Sequence, residues 1–196
     1  MGDFRGMVHG LVDSMRHQFH HQLLFTEGAQ VPHIDLQDLY DDPTQRTADW
    51  SFIKDSRTKW PVHGAEWLIQ RVAQEPTLRR RFSERDGQGF RMRTIDRYLA
   101  EVARFRERLS VAIHITAGQP SRTPELLSIR YQNSEREIRN IFIEDGMVVF
   151  VSRYHKGFHI SNDTKVIQRY LPREVGELVI RYIWLVLPFV EILQAY

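Results

Sequence analysis

The segment Arg91–Ile115 constrains the fold more than any other part of the sequence. At about 100° per residue, Ile95, Tyr98, Leu99, Val102, Phe105, Leu109 and Ile113 fall on one face of a helix. Arg93, Arg97, Arg104 and Arg108 fall together on a different face, expected to be exposed, with Asp96, Glu101 and Glu107 on the same segment. A row of this kind is either a solvated charged face or a stripe that displaces counterions along a nucleic-acid backbone. Total charge does not separate the two, since 27 Lys+Arg stand against 25 Asp+Glu for a formal +2. Distribution says more: arginine outnumbers lysine and clusters in the middle of the chain, and its planar fork of donors suits phosphate.

Around this helix the pattern is mainly helical. Met7, Leu11, Met15, Phe19 and Leu23 recur every four residues and predict an amphipathic helix over Gly6–Phe25. Asp35 precedes a short helix at Leu36–Tyr40, and Ala65–Ala73 and Thr77–Phe82 read as short helices separated by Pro76. Asp86-Gly87 and Gly89 break the chain. Beyond Gly118 the character changes. Thr123 is placed to cap a helix opened by Pro124 and running through Leu126, Leu127 and Ile129. Two alternating runs, Asn140–Glu144 and Met147–Ser152, flank Asp145-Gly146, a strong hairpin signal, and Thr164–Leu171 follows as a third strand. After Pro172 an apolar helix, Arg173–Gln194, is expected to kink or end at Pro188. The expectation is an α+β fold, mainly α with a small antiparallel β-sheet. A helical N-terminal region, 1–112, is expected to precede a second region, 113–196.

Several chemistries are excluded. With no cysteine there is no disulfide, thiolate metal site or Cys nucleophile. His17, His20 and His21 have helical spacing, but no acidic residue stands at the matching offset and no HExxH pattern occurs, so no metal is expected. Neither a Walker-type glycine loop nor a GxSxG elbow is present, which excludes ATPase or helicase chemistry within these residues. The N-terminus has no secretory signal pattern, and Tyr182–Leu193 is too short for a membrane span, with Glu177, Arg181 and Glu191 interrupting its extension. A soluble intracellular protein without a cofactor is expected.

The second region carries the most specific pattern. Gly118-Gln119-Pro120-Ser121-Arg122 leads into Thr123-Pro124-Glu125-Leu126, the hairpin follows, and Lys156 lies in Arg153-Tyr154-His155-Lys156-Gly157. The third strand ends in Arg169-Tyr170-Leu171-Pro172 before the last helix. This order resembles the opening half of the catalytic domain of tyrosine recombinases of the phage-integrase type. There a Gly-x-Arg-x-x-Glu-Leu motif presents the first catalytic arginine and a hairpin turn presents a lysine. The resemblance implies that Arg122 is that arginine, Glu125 the acidic residue three later, and Lys156 the hairpin lysine, with Lys165 a second choice. Such a pair is chemically apt: a guanidinium clamps the non-bridging oxygens, and a lysine protonates the departing oxygen. The glycine-to-arginine spacing is longer here than in the family.

Over nearly its whole length the chain also resembles the region preceding the helicase domain of fungal telomere-linked RecQ-like helicases, itself similar in part to Crypton-type tyrosine recombinases. Stretches such as "DWSFIKDSRTKWPVHGAEWLIQRV" carry that resemblance. It implies a truncated recombinase-like architecture, DNA as partner, a nuclear location, a subtelomeric or mobile-element origin and a longer parent protein. The family's His-x-x-Arg motif, later His or Trp, and Tyr nucleophile are then expected beyond Tyr196, and no catalysis is expected from this chain alone. The rival expectation is an interaction or structural domain. It would dock, or self-associate, through the apolar last helix, with a downstream helicase domain as one partner.

Overall fold

The computed structural model describes residues 2–26, 30–84, 89–118, 130–155 and 164–196. The class is α+β: mostly helix, with one three-stranded antiparallel sheet. The described residues gather into two compact units, each built from separate stretches of chain. One comprises Met1–His33, Trp60–Ala112 and Leu178–Tyr196; the other comprises Ile34–Lys59 and Ile113–Glu177. One break thus falls between Ala112 and Ile113, while 34–59 joins the second unit and 178–196 the first.

The first unit is helical. Helix α1 spans Gly2–Gln18 and continues as a π turn, Phe19–Leu23, in which the Leu24 amide donates to the Phe19 carbonyl (2.9 Å). The wider turn lets Phe19, Leu23 and Leu24 all be buried, together with Val12 and Met15. Met7, on the same four-residue series, is left 57% exposed near the helix start. Helices α2 (Gly64–Gln74) and α3 (Pro76–Phe82) follow, the second opened by Pro76 where a missing amide costs nothing.

Helix α4 (Met92–Thr116) buries Ile95, Tyr98, Val102, Phe105 and Leu109, the face its periodicity predicts. The last helical stretch runs Arg173–Arg181 (α5), a π turn Tyr182–Val186, then Leu187–Ala195 (α6). Pro188 therefore sits in the first turn of α6, and the irregularity expected there is taken up one turn earlier. Within the unit the core is aromatic. Phe189 packs on Tyr98 (5.4 Å) and Phe82 (5.9 Å), Trp184 on Trp60 (4.7 Å), and Phe105 between Phe19 (5.1 Å) and Tyr182 (5.8 Å).

The second unit holds the sheet, β1 (Ile141–Glu144), β2 (Met147–His155) and β3 (Thr164–Tyr170), in that order. Asp145 (φ 48°) and Gly146 (φ 69°) both adopt positive φ, so the first hairpin closes through a type I′ turn with Glu144 opposite Met147. Ile141, Ile143, Val148 and Phe150 share the buried face. Arg169 lies on that face too, and its guanidinium donates to Ser152 Oγ across the β2–β3 pair.

Candidate nucleic-acid interface

The four arginines predicted as a stripe are all exposed on α4, but they are not equivalent. Arg104 is engaged by Glu101 one turn earlier, through Nη2 and, at 3.3 Å, Nε. Arg108 donates to Gln18 Oε1 (3.2 Å) and Ser14 Oγ (3.3 Å) of α1. Gln18 is itself buried and donates to the Glu101 carbonyl (3.3 Å), so these contacts pin α1 to α4. Arg93 and Arg97 make no ion pair among the described residues. Among the described residues the C-terminal half of the stripe is thus engaged, Arg104 within its own helix and Arg108 with α1, whereas the N-terminal half has no ion pair.

Of the other site residues, Arg122, Glu125 and Lys156 lie outside the described residues. Lys165 pairs with Tyr154 in the β2–β3 register. The His17 and His21 rings pack at a tilt with centroids 4.2 Å apart, and His20, between them in sequence, is half-buried. Burial holds the His20 imidazole below its ordinary pKa, and the charges of Arg181, His21 and Arg16 act in the same direction. Among the described residues no group of three or more His, Cys, Asp or Glu side chains is placed to hold a metal ion.

Sequence reasoning missed the most heavily engaged arginine. Arg139 is fully buried in the second unit, its guanidinium between the rings of Trp50 and Phe142, 4.6 Å from each centroid. It donates to Asp41 Oδ1 (2.6 Å), the Asp42 carbonyl (2.9 Å) and Asn133 Oδ1 (3.2 Å). Asp41 is equally buried and accepts from the Ile143 amide (3.0 Å). Burial pushes the Asp41 carboxyl up and the Arg139 guanidinium down, and their mutual attraction opposes both shifts. Partners 98 residues apart leave no local signal; only the alternation around Arg139 sets it on an inward position.

An open groove of about 380 Å³ lies nearby, with Asp41, Asp42 and Asp55 among its lining residues. Each carboxylate is already matched: Asp41 by Arg139, Asp42 by the Thr44 hydroxyl (2.6 Å), and Asp55 by the Arg57 fork (2.7 and 2.9 Å). The groove is therefore a weak candidate beside the exposed arginines.

The last helical stretch, Arg173–Ala195, is long and apolar enough to cross a membrane by length and composition, because the flanks of the apolar run are helical too. Its Trp184, Leu185, Val186, Phe189, Val190 and Leu193 are buried, and Ile192 is 37% exposed. No family model and no solved structure matches the chain.

Proposed function

We propose that this chain is a DNA-binding module, with Arg93 and Arg97 of α4 contacting phosphates. The carrying observation is that these two exposed guanidiniums on one helix face have no ion-pair partner among the described residues, while Arg104 and Arg108 do have partners. The sequence resemblance supports a degenerate recombinase-like region, with Arg122, Glu125 and Lys156 as remnants of a phosphate site, in a nuclear DNA-processing protein. Such a remnant would hold phosphate without cutting, because residues 1–196 carry no His-x-x-Arg motif to complete the family's site. The rival, docking through the apolar last helix, has less support, since most of that helix is buried within the chain.

The test is fluorescence anisotropy with labelled DNA across a salt series. Binding should weaken steeply with salt. The pair Arg93→Gln/Arg97→Gln should weaken it evenly across sequences and lower the log–log salt slope by roughly 0.7–0.9 per arginine. Arg104→Gln/Arg108→Gln should act mainly on stability. No binding at low salt would sink the proposal. A covalent adduct with a nicked, tyrosine-trapping substrate would replace it with an active recombinase.

A further inference from the structure

The C-terminal end of α3 is tied to the first turn of α4. The Arg91 amide donates to the Phe82 carbonyl (2.7 Å), Ser83 and Phe90 form an antiparallel bridge, and the Thr94 hydroxyl donates to the Arg81 carbonyl (3.0 Å). Tyr196 adds a further tie: its hydroxyl accepts from the Phe90 amide (3.3 Å) and its ring meets Phe90 edge-on at 5.4 Å. Helix α3 ends in Arg79, Arg80 and Arg81, all exposed, and α4 opens with Arg93 and Arg97, also exposed. None of these cations forms an ion pair among the described residues, and neither Glu84 nor Asp96 of the same stretch is their partner. Arg93 stands in the first turn of α4, at the positive end of that helix and with no acidic residue in the turn, where a bound anion is favoured; Arg79, Arg80 and Arg81 stand in the last turn of α3, where the helix dipole favours cations.

Phe25 has φ 54°, the left-handed region in which a bulky side chain is strained. The side chain of Phe25, a partly buried residue, packs against Phe82 and Tyr98, 5.6 Å from each, and the Arg81 guanidinium lies over its ring at 5.3 Å. An arginine held on an aromatic ring presents a planar cation of the kind on which nucleobases stack. A duplex brings phosphates to such a corner but keeps its bases inside the helix. Only a strand with unpaired bases uses both features.

We infer that the α3–α4 corner takes single-stranded DNA: Arg79, Arg80, Arg93 and Arg97 hold phosphates, and Arg81, positioned by Phe25, stacks on an unpaired base. This rests on the DNA-binding proposal above and adds the location and the strand form. The experiment uses the full chain with a labelled oligothymidylate and a blunt duplex of equal length, followed by anisotropy across a salt series. The single strand should bind more tightly than the duplex. Arg81→Gln should weaken single-strand binding about tenfold, as expected for loss of one stacked base, and weaken duplex binding clearly less, through loss of one charge alone. Arg79→Gln/Arg80→Gln should weaken both and lower the single-strand salt slope by roughly 0.7 per arginine.

Phe25→Leu should lose the strand preference. Phe25→Tyr, which keeps the ring, should retain it, so a misfolded Leu variant does not obscure the result. Equal effects of Arg81→Gln on both forms, or none on either, overturn the strand assignment and leave DNA binding standing. A greater loss from Arg104→Gln/Arg108→Gln than from the α3 pair, with melting temperatures unchanged, overturns the location. Binding of neither form at low salt removes both proposals.

Discussion

Arg139 and Asp41 are each stripped of solvent completely, yet each retains directed partners. Removing one leaves the other charged and buried. Arg139→Ala should therefore cost about 3–5 kcal/mol of unfolding free energy, measured by urea titration. Arg139→Met with Asp41→Leu, which removes both charges and restores bulk, should cost clearly less than the single change. His20 gives a pH signature at the same scale. Its folded-state pKa lies below the unfolded value of about 6.5. The folded state therefore binds the proton less readily than the unfolded state does. Stability is whole above that value and is lost as pH falls through the folded pKa. His20→Gln should flatten the decline in melting temperature below about pH 6.5, apart from carboxylate losses at lower pH. Neither effect was legible from residue type alone: a buried arginine and a solvent-facing one are spelled identically, and only distant partners distinguish them.

Elements were far more legible. The α4 face, the Asp145-Gly146 hairpin and the strand beginning at Thr164 stand where their patterns place them, because each signal is local: helical period, alternation, turn chemistry. The hairpin gives a direct check. Gly146 at φ 69° belongs to the left-handed region, so Gly146→Ala should destabilise by about 1 kcal/mol, and a larger loss would implicate the Gln37 side chain that packs against that site. The two π turns were not legible. Their sequences, Phe19–Leu23 and Tyr182–Val186, are ordinary helix formers, and the extra residue per turn is selected by what must be buried on each side. For the candidate site, the row of arginines was visible in the helical period. Its engaged half depends on Glu101 of the same helix and on Ser14 and Gln18 of another, and the part played by α3 depends on the Arg81 carbonyl meeting Thr94.

At the scale of the whole molecule, the sequence runs through its two units in an interleaved order. Cutting between Ala112 and Ile113 would take Leu178–Tyr196 from the first unit and Ile34–Lys59 from the second. Fragment 1–112 would lose Trp184 and Phe189 from beside Trp60, Phe82 and Tyr98. Fragment 113–196 would keep Arg139 without Asp41. Neither fragment should give a cooperative thermal transition alone, whereas mixing them should restore near-ultraviolet circular dichroism. Independent melting of both would show that the interleaved segments are dispensable.

The same placement of Phe189 has a temporal side. On the ribosome, α2, α3 and α4 emerge with Leu68, Phe82 and Tyr98 ready to pack, while Phe189 and Trp184 are still tens of residues from being made. At roughly 5–20 residues per second the nascent chain holds an unfinished aromatic surface for several seconds. During that interval it is a natural client for a holdase chaperone. A slowed codon run between Ile113 and Glu177 should lower soluble yield while leaving the finished protein's melting temperature unchanged.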